Sequence, residues 1–373
     1  MSNIVVYSLA CRGNSIFAGS TWGSGIFLST NNGTNWTQTS LINQSVRVIA
    51  VNENYIFAGT LGNGIYSSSN NGTNWNQTSI GMYNEISSLV TEGSNIVSGF
   101  RHAAPPYGLY LVTSTNNCQT WAATGLSSHN VLALVLNGSN IFAGTTGGVY
   151  FSTNFGGNWI QSPLRENTFS LAQNGNFIYA GTSNNGIYMS TNYGTNWNQT
   201  LFNNRFIYSL ICNGDNVFAG TCGNGVYISN DNGSSWTQRN EGLGNDTIYS
   251  LCIVSDYIFA GTKSKGVYRR MLSELIGINP ISIEIPLNFS LSQNYPNPFN
   301  PATKIQFALP NSSDTKLIIY DAIGKEVETL VNESLEAGIY EVSWYAEKFS
   351  SGIYFYQLTT DIHTDTKKMI LVK

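Results

Sequence analysis

A chain of 373 residues with 10% charged side chains, 13% aromatics and 37 glycines fits one large β domain with a smaller one, and no long helical pattern competes with that reading. Its 17 Lys and Arg against 21 Asp and Glu leave a nearly neutral chain without a basic stripe, which excludes a nucleic-acid partner. No apolar run reaches the ~18 residues of a membrane helix, so no transmembrane segment is expected.

The opening MSNIVVYSLAC is apolar and ends in Cys11, but a signal peptide or lipoprotein anchor needs a basic start and a longer apolar core. Residues 8–19, SLACRGNSIFAG, align instead with SLAQNGNFIYAG at 170–181, so the opening reads as part of a repeat. The repeat is plainest at Ser29–Trp36, STNNGTNW, whose copies end at Trp75, Trp121, Trp159, Trp197 and Trp236. The tryptophans are 39, 46, 38, 38 and 39 residues apart, the period of a propeller, solenoid or array.

Each copy has the chemistry of a turn. Its third residue (Asn31, Asn70, Asn116, Asn154, Asn192 or Asp231) offers a short oxygen-bearing side chain that accepts hydrogen bonds from the backbone just ahead. Its fifth is Gly in five copies and Cys118 in the third; Gly supplies a positive φ without strain. The closing Trp buries a flat apolar face.

Two more marks recur. IFAGT or a variant lies at Ile16–Ser20, Ile56–Thr60, Ile96–Phe100, Ile141–Thr145, Ile178–Thr182, Val217–Thr221 and Ile258–Thr262, which makes seven units. A GIY-like strand follows at Gly25, Gly64, Gly108, Gly148, Gly186, Gly225 and Gly266, and an apolar strand such as Val46–Val51 precedes each IFAGT. Four short antiparallel strands per unit and seven units predict an all-β, seven-bladed β-propeller over residues 1–271. The seventh unit ends after Gly266–Met271 with no Trp turn. Its fourth strand is expected either outside this sequence or from Ile276–Ile285. The turn motif resembles the Asp box (BNR repeat), SxDxGxTW, of sialidase-like β-propellers, although the Asp is kept only at Asp231 and the Thr only at Thr120. In that family the box is a fold element on the face opposite the active site, so the resemblance implies a fold and no activity.

Residues 272–286 carry no repeat marks and read as a linker; 287–373 alternate strands with Gly and Pro turns, as a small Ig-like β-sandwich does. From about Phe289 to Lys373 the chain resembles the type IX secretion system C-terminal sorting domain. The residues that carry this are NYPNPFNP at Asn294–Pro301, the turn around Tyr320, Asp321 and Gly324, AGIY at Ala337–Tyr340, SGIY at Ser351–Tyr354, and the terminal TKKMILVK. The resemblance implies handling by the type IX secretion machinery, delivery to the medium or the outer-membrane surface of a Gram-negative bacterium, and an export signal ahead of the present start.

Five cysteines cannot all pair. Cys11, Cys212 and Cys252 recur at one place in their units and are expected as apolar filling, with a Cys212–Cys222 bridge as the alternative and Cys118 left over. The three histidines, His102, His129 and His363, are too scattered for a metal, and no motif calls for a cofactor. None of the propeller's arginines stands in the FRIP-like context of sialidases. Glu53, Glu92, Asp215 and Asp256 fall on turns at the box-bearing end, while Glu85, Glu166, Glu241 and Asp246 fall on the other end with no evident pairing; a glycosidase needs two carboxylates in one cleft. Two classes stay open: an exported protein that binds a glycan or a protein, or an exported glycoside hydrolase of the sialidase-like or xyloglucan-cleaving kind. For either, the expected ligand face is opposite the boxes. There the long loop FRHAAPPYG, Phe100–Gly108, brings Arg101, His102 and Tyr107 to the side that also carries Trp22, Tyr83, His129, Arg165 and Arg205.

Overall fold

The β-branched and aromatic strands of the repeat pair in sequence order, the only arrangement their short turns permit. In the first unit Val6–Arg12, Ser15–Ser20, Ile26–Ser29 and Thr37–Gln38 form one antiparallel sheet, and five further units repeat it. The seventh has three strands, Ile248–Val254, Tyr257–Thr262 and Val267–Met271. This computed structural model describes the chain except residues 1–3, 79, 81, 102–109, 127–128, 241, 245, 256, 276–278, 283–285, 336 and 347–348. It divides into two units, Met1–Leu272 and Ser273–Lys373. The first is the seven-bladed propeller that the repeats predict.

The glycine of each IFAGT explains how the blades stack. A Cβ on Gly19 would stand 2.8 Å from Val46 of the next blade, one on Gly59 2.5 Å from Ile86, and one on Gly99 2.5 Å from Val131. The same contact recurs from Gly144 to Thr168, Gly181 to Ile207 and Gly220 to Ile248, and it closes from Gly261 back to Val6 at 2.8 Å. These glycines are held by close approach, not by φ. Hydrogen bonds between inner strands add to this: Ile49 N–H donates to Ser8 Oγ at 2.8 Å, and at the seam Leu9 N–H donates to Ser250 Oγ at 2.8 Å.

The seam carries more. Cys11 and Cys252 form a disulfide across 241 residues, which corrects the expectation that both are apolar filling: first and last inner strands are neighbours in a closed ring, so equivalent cysteines meet. Cys212 and Cys222 are free and unbridged, and Cys118 is free and buried. Arg269 also crosses the seam to the Asn32 carbonyl and, at 3.3 Å, to Thr34 Oγ1.

The Trp turns close as their chemistry requires. In the first, Gly33 N–H donates to Ser29 Oγ at 2.9 Å and Asn35 N–H to Asn31 Oδ1 at 2.9 Å, and the indole N–H of Trp36 donates to the Gly33 carbonyl at 3.1 Å. The fourth residue is also left-handed in all six, from Asn32 to Asn232, and Cys118 takes a positive φ in place of the Gly in the third. Each Trp is partly buried against a core cluster shared by its own blade and the one before it, and the indole N–H groups of Trp121 and Trp159 find no partner among the described residues.

The C-terminal unit is a sandwich of two four-stranded sheets around Trp344, Phe307, Tyr356, Leu317 and Ile319. One sheet includes Asn279–Ser282, whose Asn279 pairs with Glu341. The span read as linker thus holds a strand of the sandwich, and residues 279–282, the described part of Ile276–Ile285, pair there and not with the seventh blade. The NYPNPFNP segment is pinned by buried Asn294: its N–H donates to Tyr356 Oη at 2.8 Å and its Nδ2 to Thr303 Oγ1 at 2.9 Å, while Tyr356 donates to the Ser292 carbonyl at 2.7 Å.

Candidate functional site

Every inner strand has an irregular register near its start, between Val6 and Ser8 in the first blade and at the matching place in the other six. A bulge turns one residue out of the ladder and re-aims its side chain. The residues so placed are Tyr7, Arg47, Ser87, Leu132, Phe169, Tyr208 and Tyr249. They stand at the end of the ring opposite the Trp turns.

Five of these and three neighbours form an unbroken chain of contacts around the ring. Phe169 and Phe206 have ring centroids 4.6 Å apart, Phe206 and Tyr208 4.4 Å, Tyr208 and Tyr249 5.0 Å, and Tyr249 stacks on Tyr7 across the seam at 4.3 Å. The Arg47 guanidinium lies 4.1 Å from the Tyr7 ring centroid and 3.0 Å from Glu85, and Glu85 is 3.5 Å from Arg101. All eight are partly exposed. One side of the mouth, over blades five, six, seven and one, is an aromatic wall; the other, over blades two and three, is a charged triad with one net positive charge.

Glu85 and Arg101 are directly opposed on neighbouring strands, and the overlong strand Ile56–Asn63 pairs with the far side of Glu85 at Leu61. The partners that Glu85 finds are thus two arginines. Burial raises the Tyr249 hydroxyl above its ordinary range, helped by its hydrogen bond with Tyr7 and by Tyr208 and Cys222. Burial also raises Tyr208, with Cys222 and Tyr7 adding to it, while Arg47 and Arg101 pull the other way. Both phenols stay neutral, as donors and acceptors, at physiological pH.

Of the ligand residues read from sequence, Arg101 is the one that joins this cluster. Trp22 is 89% exposed on the second-to-third-strand loop of the first blade. His129 sits beside Tyr150, Nδ1 to Oη 3.3 Å. Arg205, on the connection between blades five and six, lies over Tyr227 at 5.0 Å and Phe202 at 5.5 Å. Arg165 is exposed. His102, Tyr107 and the Tyr83 side chain lie outside the described residues. Of the acids, Asp246 accepts from Thr247 N–H and Ser264 Oγ, both at 2.7 Å, at the junction of blades six and seven, and Glu92 accepts from Gly138 N–H at 2.6 Å on the box-bearing end. Among the described residues no three His, Cys, Asp or Glu gather as a metal would require, and no helix is long and apolar enough to cross a membrane.

Sequence reading missed Tyr7, Arg47, Phe169, Phe206, Tyr208 and Tyr249. The signal was there: Tyr7, Phe169, Tyr208 and Tyr249 stand directly ahead of an SL pair and Arg47 ahead of Val48 and Ile49, where large aromatics and an Arg interrupt an otherwise regular repeat.

Residues 293–373 match the secretion system C-terminal sorting domain. No curated protein sequence matches the chain. Among solved structures, 99% of the chain is similar to PorZ, an essential bacterial surface component of the type-IX secretion system of Porphyromonas gingivalis, with a TM-score of 0.56 at 15% identity over 59% of that chain. All of it is similar to an ancestral GH74 enzyme (TM-score 0.62, 17% identity, 62% of that chain), and 72% to YCF48 from Cyanidioschyzon merolae (0.58, 12%, 96%). At these identities the likeness is one of fold, and the chain spans about three fifths of the length of PorZ and of the GH74 enzyme. The sorting tail implies handling by the type IX secretion system.

Proposed function

We propose that this is a protein exported by type IX secretion whose propeller binds a glycan or a protein segment at the channel mouth and does not turn it over. One observation carries the reading: the continuous arc from Phe169 through Phe206, Tyr208, Tyr249 and Tyr7 to Arg47, Glu85 and Arg101. Partly exposed rings side by side offer the flat apolar face that sugars and extended peptides stack on, and the adjoining guanidinium groups supply fixed donors. Trp22, His102 and Tyr107 would add ligand contacts. The six Trp turns support kinship with sialidase-like propellers, and the sorting tail supports a secreted or outer-membrane surface location. A YCF48 structure, 13% identical, holds the D1 peptide, a precedent for peptide recognition on this fold.

Catalysis is disfavoured by the carboxylates. Among the described residues Glu85 is the acid in the contact chain, and two arginines share it. A retaining or inverting glycosidase needs a second acid facing it, one of the pair held protonated.

The test is an array of surface glycans and peptides read both for binding and for released reducing sugar. Binding without product is the expected result. For the best binder, Arg47→Ala should weaken affinity at least about tenfold, and Trp22→Ala should weaken it less. Product release, or full affinity in Arg47→Ala and Tyr249→Ala alike, would move the function elsewhere.

A further inference from the structure

Charge does not balance in the channel mouth. Arg47 brings Nε to 3.1 Å and Nη2 to 3.0 Å, and Arg101 brings Nη1 to 3.5 Å, of a single oxygen, Glu85 Oε1. The side chains of Arg47, Arg101 and Glu85 keep 23%, 35% and 16% of their surface in contact with water. Among the described residues no second carboxylate joins them, so two guanidinium groups and one carboxylate leave a net positive charge that is largely desolvated. Such a charge is costly until an anion completes the cluster.

The groups beside it suit an anion as well. Tyr7 lies between Tyr249, stacked at 4.3 Å, and the Arg47 guanidinium at 4.1 Å. Both faces of its ring are thereby covered, and it turns to a ligand only its edge, the electropositive part of an aromatic ring. On blade six the Tyr208 phenol feels Arg47 and Arg101 together, against the upward pull of burial, and it stays a neutral donor. Beyond Tyr208 the lining changes: Phe206 at 4.4 Å from it, and Phe169 at 4.6 Å from Phe206, have side chains with no polar atom.

That division separates the two ligand classes. A sugar ring carries a hydroxyl on most of its carbons, and each hydroxyl needs a partner when it leaves water; Phe206 and Phe169 offer none. An apolar amino-acid side chain needs none. We infer that the mouth takes a peptide by a carboxylate that adjoins an apolar side chain. The carboxylate completes the Arg47–Glu85–Arg101 cluster and accepts from Tyr208, and the apolar side chain lies on Phe206 and Phe169. Forked, charge-assisted bonds from guanidinium fix the orientation of the carboxylate, and the aromatic wall supplies contact area. This rests on the reading of the mouth as the binding site and chooses between the glycan and the protein segment proposed for it.

The probes are labelled, N-acetylated hexapeptide pools with apolar residues at the last two positions. They are made as free acids, as C-terminal amides, and as amides with a glutamate ahead of the apolar pair, and are titrated into the full chain beside oligogalacturonate, an acidic glycan. Both acidic pools should bind at least about tenfold more tightly than the plain amides, and raising salt from about 50 to about 500 mM should close most of that gap. Arg101→Gln should erase the preference for acids. The comparison of acids with amides is made on the parent protein, so it stands even where a variant fails to fold. Equal binding of acids and amides, no binding by any peptide pool, or oligogalacturonate bound as tightly as the acidic peptides overturns the inference. If acids and amides bind alike and Tyr249→Ala weakens both, the mouth remains the site and only the carboxylate falls. If acids are preferred but Arg47→Gln, Arg101→Gln and Tyr249→Ala leave that preference unmoved, the mouth itself is not the site.

Discussion

The two ends of the propeller are built from the same seven repeats and obey different rules. At the box-bearing end, the first Ser of each turn accepts the N–H of the fifth residue at 2.9, 2.9, 3.1, 2.9, 2.8 and 2.7 Å from blade one to blade six. Backbone groups turned inward must be bonded there, and few side chains do that. At the mouth, one structural position holds Tyr7, Arg47, Ser87, Leu132, Phe169, Tyr208 and Tyr249. A bulged side chain that faces the axis is not wedged between blades, so the fold accepts almost any residue and the choice is free to serve recognition. Repetition here reports the fold, and departure from repetition marks the residues that the proposed binding site would use.

The sharpest way to break that contrast is to cut the ring where its two ends meet. Replacing Cys11 and Cys252 by Ser opens a 241-residue loop and should lower unfolding stability by about 3–5 kcal/mol, measured by denaturant titration. Reducing agent should do the same to the parent and nothing to the variant. A loss below about 1 kcal/mol would mean that Ser250, Tyr249 and Arg269 hold the seam without the covalent bond. Trp75→Ala is the next largest: a partly buried indole packed against the core cluster that includes Phe17, Ile26, Leu41 and Ile56 should contribute about 1–3 kcal/mol, with ligand affinity untouched. Arg47→Ala should show the reverse pattern, weak binding with nearly full stability. If the two variants behave alike, the two ends are not separate in function.

Much of this was legible in the chain. The Trp spacing and the seven IFAGT units gave blade number and strand order, because each mark answers a local demand: a turn that must close, or a glycine that the next blade must approach. The mouth was not, because its members come from six blades and meet only after the ring closes. Arg101 was found through its unusual loop; Arg47 and Glu85 looked like lone charges until strands from blades two and three brought them to 3.0 Å. The seam disulfide was hidden for the same reason: nothing local in Cys11 points to a residue 241 positions away. The strand Asn279–Ser282 was missed because NPIS has a Pro and no alternation, and pairing with Glu341 and Tyr340 on the edge of a sheet tolerates both.

The smallest expected effect tests whether the boxes are interchangeable. Asp231 is the one charged member among six. Burial pushes its carboxyl up, but the Ser235 hydroxyl and N–H, at 2.7 and 2.8 Å, and the Ser229 hydroxyl at 2.7 Å outweigh it and hold the carboxyl below its ordinary range. A carboxyl depressed in the folded state stabilises above its unfolded pKa, about 3.9, and that contribution is lost as the pH falls through the lower folded value. Asn can take the same place, since Asn116 accepts from Thr120 N–H at 2.9 Å and donates Nδ2 to Thr120 Oγ1 at 2.8 Å in the third box. Asp231→Asn should therefore change stability by less than about 1 kcal/mol at pH 7, since water competes for an exposed turn. Any advantage of the parent should shrink below about pH 4, where the Asn box keeps its bonds and the Asp box loses its charge. Denaturant titrations of both proteins at the two pH values decide it: a difference that does not move with pH would mean that the carboxylate contributes nothing an amide does not.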